Sequence, residues 1–196
     1  MLIIGNGESR SIIDIDSIKD KKVGCNAIFR DYHVDHLVCV DRRMIDEALQ
    51  VNANHHSYVY TRKDWFASYN NTYKKIRLVP DLPYVGSERP DDPWHWGSGP
   101  YAVLLGAKLS QTNEVKLVGF DLHSKTGYVN NIYKDTINYD IAGKKAVDPR
   151  YWIYQIAKVF YHNPNVTFTI YQDNDWEMPK TWKYHNVKVD NIELLR

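Results

Sequence analysis

Short apolar runs alternate along this chain with longer stretches in which apolar positions recur every three or four residues. Residues 2–5, 23–26, 36–40, 57–61, 76–79, 115–120 and 166–171 are short, apolar and bounded by polar or glycine positions, so they read as strands. Between them, Met44, Ile45, Ala48 and Leu49 make one helical face behind Asp41. Tyr101, Leu104, Leu105, Ala107 and Leu109 make a second behind Pro100. Asp148 and Pro149 introduce a third, carried by Trp152, Ile153, Ile156, Val159 and Phe160. Strands alternating with helices predict an α/β fold, a mostly parallel sheet flanked by helices in a Rossmann-like single domain over residues 1–196.

Three stretches carry no clean period. Residues 80–96 hold Pro80, Pro83, Pro90 and Pro93 and read as loop. Residues 122–147 are polar and contain Tyr128, Tyr133 and Tyr139; a connection this long in a compact domain is a lid or is disordered. Residues 172–196 are expected to wrap the surface as a tail.

The most informative stretch is residues 2–11, where an apolar strand runs into Gly5-Asn6-Gly7 and then a polar helix start. Glycines let backbone N–H groups approach an anion, and a helix N-terminus carries partial positive charge, so this is an expected phosphate or nucleotide site. NAD is disfavoured: Arg10 stands where a dinucleotide fingerprint has its third glycine, and the second strand ends in Asn26, not an acid. A P-loop is excluded because no Gly-Lys-Ser/Thr follows the strand.

Composition narrows the classes further. With 43% hydrophobic residues the chain can bury a proper core, and a net charge of +1 leaves no electrostatic footprint for nucleic acid or a membrane surface. Cys25 and Cys39 lie in apolar runs without partners at zinc spacing and read as buried thiols. No basic leader precedes an apolar stretch, and no run is long enough to span a bilayer, which points to the cytoplasm. The 15 tyrosines and 6 tryptophans suit either a cleft for a sugar or base or a small core with satisfied polar tips. Tyr84, Trp94 and Trp96 are candidates for an acceptor cleft or for a packed interface.

Four pieces in order, Gly5-Asn6-Gly7-Glu8-Ser9, Cys25-Asn26-Ala27-Ile28-Phe29, Ser98-Gly99 opening a helix, and Val118-Gly119-Phe120-Asp121 ending a strand, carry a resemblance. Over about residues 1–125 the chain resembles the bacterial sialyltransferases that use CMP-sialic acid, glycosyltransferase family 42, and the related motility accessory factors. The resemblance implies a nucleotide held by Gly5, Asn6, Gly7, Asn26, Ser98 and Gly99, without a required metal or other cofactor. An Asn carboxamide suits a base edge or ribose, and it equally suits a turn; Ser98 suits phosphate binding or a helix cap.

The second half departs from that family. There, lid tyrosines stabilise the leaving phosphate and a histidine before the next helix acts as base. Tyr128, Tyr133 and Tyr139 can fill the first role, but Asp148-Pro149-Arg150 stands where the histidine is expected. His123 is the leading substitute base, His95 the second, with Asp121 and Asp148 as carboxylate alternatives.

Asp14-Ile15-Asp16 and Asp173-Asn174-Asp175 match the letters of a metal-chelating Asp-x-Asp but read as surface or turn residues. Asp41-Arg42-Arg43 follows the third strand, where an arginine can meet a phosphate or simply face solvent. His55 and His56 have no partner at ligand spacing.

The expected activity is transfer of a sugar, sialic acid among the candidates, from a CMP- or other nucleotide-activated donor to a hydroxyl acceptor. The alternatives are a metal-dependent pterin-type diphosphokinase and a nucleotide-binding module without turnover. A homo-oligomer is left open.

Overall fold

The structure is a computed structural model and describes residues 1–195. Eight strands form one sheet: β1 (Leu2–Ile4), β2 (Lys22–Cys25), β3 (His36–Val38), β4 (Tyr58–Thr61), β5 (Ile76–Leu78), β6 (Glu114–Val118), β7 (Thr167–Gln172) and β8 (Val187–Asn191). Their spatial order is β5-β4-β3-β2-β1-β6-β7-β8, and every neighbouring pair is parallel. The expected α/β class and flanked parallel sheet are therefore present.

Side chains of successive β1 residues point to opposite faces, as strand geometry requires. Ile3 packs with Val23, Leu117, Phe168 and Ile170 beneath α3 (Ser98–Leu109) and α4 (Arg150–His162). Leu2 and Ile4 face the other way, with Leu37, Val59 and the apolar face of α1 (Arg42–Gln50). Both faces of the sheet are covered, which is why the central strand β1 is apolar at every position.

Helix α3 is buried at nearly every residue from Ser98 to Ala107 because it lies across β3, β2, β1 and β6. It carries the chain from β5 at one edge back to β6 beside β1. The strand order reverses there, between β1 and β6, and in open α/β sheets ligands bind outside the carboxyl ends of the strands at such a reversal.

Four local differences from the sequence reading have physical reasons. The polar stretch after Gly7 forms a 3-10 segment, Glu8–Ile12, in place of an α-helix, because the chain returns to β2 within a short connection. A seven-residue helix, α2 (Lys63–Tyr69), precedes β5; it buries no residue fully, and its short aromatic stripe of Trp65, Phe66 and Tyr69 packs against the core. Gly97 takes the N-cap position of α3, so Ser98 and Gly99 are its first helical residues.

The largest difference concerns the expected tail over 172–196: residue 196 lies outside the described residues, and 172–195 do not form a surface tail. They supply β8, the sheet edge beside β7, and bury Trp182, Asn186 and Ile192. The Trp182 indole donates to the Ile153 carbonyl at 2.8 Å, and the Asn186 amide reaches the carbonyls of Phe160, Asn163 and Val166 at 3.0–3.1 Å. Lys188 and Asp190 hide β8 from a hydrophobicity reading, and such charges are what an exposed edge strand carries to avoid pairing with other chains. No helix among the described residues is long and apolar enough to cross a membrane.

Candidate functional site at the sheet reversal

The carboxyl ends of β1, β2 and β6 and the N-terminus of α3 enclose a cavity of about 250 Å³. Gly5, Asn6, Gly7, Asn26, Ser98 and Gly99, the six residues singled out for nucleotide contact, all line it. Asp121, one of the catalytic candidates, lines it as well. The wall also contains Asp41, Phe120, Leu122, Asn130 and Trp152, which the sequence reading did not assign to a site. Asp41 is marked in the sequence by its place between the third strand and the helix whose N-cap position it takes, whereas Trp152 belongs to the apolar face of its helix and carries no site signal.

The glycines of the first loop serve packing. The N–H of Gly5 donates to Val118 O at 2.8 Å and that of Gly7 to Gly119 O at 2.9 Å, while Glu8 N and Ser9 N donate to the Asn130 and Asp121 side chains at 2.9 Å. These donors are used inside the protein, so the expected cradle of glycine N–H groups for phosphate is not what this loop offers. A side chain at Gly5 would stand 2.3 Å from Gly119 O, and one at Gly7 would stand 2.4 Å from the Asp121 carboxyl carbon. The loops after β1 and β6 meet backbone to backbone.

Free donors lie instead at α3. Among the described residues no acceptor receives the N–H of Ser98 or Gly99, the first two of a twelve-residue helix, where the helix dipole favours a negative group. The Ser98 hydroxyl accepts from Val40 N at 3.1 Å and fixes this helix end to the loop after β3, leaving its proton for another partner.

Two acceptors complement these donors. Asn6 is 9% exposed; its amide nitrogen donates to Cys25 O and to the Tyr139 hydroxyl, both at 3.3 Å, and its Oδ1 is buried without a partner. Asn26 holds a left-handed backbone, φ +51°, and its Oδ1 is likewise buried and unpartnered. The turn role expected of Asn26 is therefore real, and its carboxamide oxygen remains unused. A buried acceptor without a donor costs about 1–3 kcal/mol. Cys25 also lines the cavity, but burial pushes its thiol up to about 12, so it is a wall and not a nucleophile.

Asp121 sits where this cavity meets an outer one of about 600 Å³. Its carboxylate accepts from Ser9 N at 2.9 Å, from the Ser9 hydroxyl, and from Gln172 Nε2 at 3.2 Å. Its backbone carbonyl accepts from the Trp176 indole at 2.9 Å and from His123 N at 2.6 Å. The last bond closes a three-residue turn around Leu122, φ +63°, a conformation that costs a leucine about 1–3 kcal/mol. His123 faces the outer cavity together with Glu8, Asp175, Trp176 and Glu177.

The remaining candidates lie elsewhere. Tyr128 is exposed, Tyr133 is 4% exposed with its hydroxyl held by Arg10 and Asp31 at 2.9 and 2.7 Å, and neither lines either cavity. His95 contacts Arg89, and Asp148 pairs with Arg150 at the surface. Trp96 is buried against Tyr101. Arg42 pairs with Asp46 in solvent. Asp14 caps a 3-10 turn by accepting from Asp16 N, whereas Asp173 lines the outer cavity and pairs there with Lys125. No group of three or more His, Cys, Asp or Glu placed to hold a metal occurs among the described residues.

Residues 122–147 are clasped over the ends of β1 and β2. Arg30 grips Glu47 with two bonds, 2.6 and 2.8 Å, and reaches Thr136 Oγ1 at 2.7 Å and Ile137 O at 2.8 Å; Asn138 donates to Glu47 at 2.8 Å. Burial pushes the Glu47 carboxyl up, but hydrogen bonds from Arg30 and Asn138 and the Arg30 charge more than offset this, leaving it below the ordinary carboxylate range. Glu47→Gln is expected to cost about 2 kcal/mol at neutral pH. A depressed folded-state pKa contributes stability above the unfolded value, about 4.3, and loses it as pH falls through the folded value. The gap between wild type and variant in urea unfolding should therefore close in acid; a gap that persists below both pKa values would mean the clasp is not held by that charge.

No protein-family model matches the chain, and no curated protein or solved structure matches it either.

Proposed function

We propose that the chain binds a nucleotide at the sheet reversal and acts as a glycosyltransferase on a nucleotide-activated sugar. The observation that carries this reading is the free N–H groups of Ser98 and Gly99 at the start of α3, which line a cavity at the sheet reversal together with Asn6 and Asn26. Asparagine side chains suited to a base or ribose share the wall with donors for a phosphate and with the aromatic residues Phe120 and Trp152.

Charge supports a phosphodiester over a triphosphate. The cavity wall has no Lys or Arg and holds two carboxylates, Asp41 and Asp121, so one negative charge on a helix N-terminus is the most it favours unaided. In the proposed reaction the α3 N–H groups hold the departing phosphate as the sugar bond breaks. Such fixed donors act where charge develops in the transition state. Asp121, at the junction of the cavities, or His123 beyond it, receives the proton of the acceptor hydroxyl.

The test is a thermal-shift panel of CMP, UDP, GDP, ATP and CMP-sialic acid, with and without Mg²⁺, on wild type and Asn26→Ala. A nucleotide at a hundred times its Kd should add about 2.7 kcal/mol, and the variant should lose most of that gain. A metal-independent shift with cytidine nucleotides supports the proposal and justifies transfer assays. A shift with ATP only when Mg²⁺ is present would favour diphosphate transfer, with Asp41 and Asp121 as the carboxylates. Binding without turnover would leave a nucleotide-binding module.

A further inference from the structure

Helix α4 borders two cavities with two different faces. Trp152 and Ile156, one turn apart, line the cavity at the sheet reversal. At about 100° per residue, Ile153, Tyr154, Ala157 and Tyr161 lie on the far side of the helix, and with Tyr184 they line a groove of about 460 Å³.

The groove is built between α4 and the segment that leads into β8. Ala157, 7% exposed, is the small residue among the larger Ile153, Tyr154 and Tyr161. The Tyr184 ring stands 6.0 Å from the Tyr161 ring, centroid to centroid. The spacing of the two walls is fixed by Trp182, which is fully buried and donates its indole N–H to Ile153 O at 2.8 Å.

The charge of the wall has one sign. Arg150 and Lys158 line it, and no Asp or Glu does. Arg150 is engaged at the surface by Asp148, whereas Lys158 forms no ion pair among the described residues. The Lys158 ammonium lies 5.0 Å from the Tyr84 ring centroid and 5.1 Å from that of Tyr154, so aromatic contacts set its position. The nearby Asp91 carboxylate is outside the groove wall, 7% exposed, and already accepts from the Tyr84 hydroxyl at 2.9 Å and from Glu88 N at 3.0 Å.

A concave wall of aromatic and aliphatic side chains with a few placed polar groups is how small-molecule sites are made, and here the charged ones are cations. A flat ring packs against the tyrosines, and a negative group carried on it meets Lys158. We infer that this groove is a second ligand site and that it takes a small organic anion built on a flat apolar ring, as an aromatic carboxylate is. The inference does not rest on the nucleotide reading, since no residue lines both cavities.

Three probes with one ring system and different charge decide it: 2-naphthoate, 2-naphthamide and protonated 2-naphthylmethylamine, titrated into the whole chain at low salt and followed by backbone amide NMR shifts. Naphthoate should bind about fivefold more tightly than naphthamide, a difference of about 1 kcal/mol, and the amine should bind most weakly. The shifts should centre on residues 150–161 and 180–184. Acetate, which has the charge without the ring, should not produce them at the same concentration. Lys158→Gln, a half-exposed site, should erase the preference for naphthoate, and Ala157→Leu, which fills the groove, should weaken all three probes. Asn26→Ala, in the other cavity, should change nothing.

Equal affinities for naphthoate and naphthamide, a preference for the amine, or no binding of any probe would each overturn the inference. So would shifts centred on Ser98 and Gly99, or a preference that survives Lys158→Gln. A chain that passes these tests but shifts with no nucleotide would lose the nucleotide reading and keep this one; the reverse pattern would do the opposite.

Discussion

Trp182→Ala should destabilise the protein by about 3–5 kcal/mol, the usual cost of deleting a fully buried aromatic residue. Trp182 is 0% exposed, meets Phe160 edge-on at 5.3 Å between ring centroids, lies 6.2 Å from Trp176, and closes its indole N–H on Ile153 O of α4. The change leaves a cavity and also strips a donor from a helix carbonyl. Urea unfolding should show a lower midpoint at an unchanged slope. A loss under 1 kcal/mol would mean that the segment joining β7 to β8 is not docked on α4. That segment also holds Trp176 against Asp121, so the variant should loosen the outer cavity and broaden the Trp176 indole signal.

Gly119→Ala is the second large effect, about 3 kcal/mol. Gly119 has φ +72°, where a side chain costs about 1–2 kcal/mol, and its added carbon would stand 2.7 Å from Gly5 O, an overlap that costs about 1–3 kcal/mol more. Gly5→Ala meets the same contact from the other side, 2.3 Å from Gly119 O, so the double variant should lose less than the sum of the two. Gly143→Ala is the control: nothing lies within 4 Å of its added carbon, and its stability should stay within about 0.5 kcal/mol of wild type. If Gly119→Ala behaves like Gly143→Ala in chemical unfolding, the loops after β1 and β6 do not touch as described.

Much of this architecture was legible because burial on both sheet faces leaves a strong mark. Residues 2–5 and 115–120 are apolar at almost every position, and strands of that kind sit at the centre of a parallel sheet. The gathering of Gly5, Asn6, Asn26, Ser98 and Gly99 was legible for a related reason, since each follows a strand or opens a helix. In a parallel sheet all such positions share one edge.

What the glycines do was not legible. Gly5 and Gly7 look like a phosphate cradle in sequence, yet they admit a neighbouring loop and a carboxylate, a distinction that depends on β6, far away in the chain. Strand β8 was hidden because half of its side chains face water. Tyr133 looked like a lid residue and is a core residue, since the buried guanidinium of Arg10 that holds its hydroxyl cannot be paired with it by spacing alone.

The position of β1 has a consequence for the growing chain. Leu2–Ile4 leaves the ribosome long before Glu114–Val118, yet these are adjacent strands. Strand β2 follows soon enough to cover one side of β1, while the other side stays unpaired until β6 and the all-round apolar α3 have been made. During that interval an apolar central strand presents open backbone groups, the state in which nascent chains aggregate. Slow translation between β5 and β6 should therefore lower the yield of this protein more than slow translation after β7.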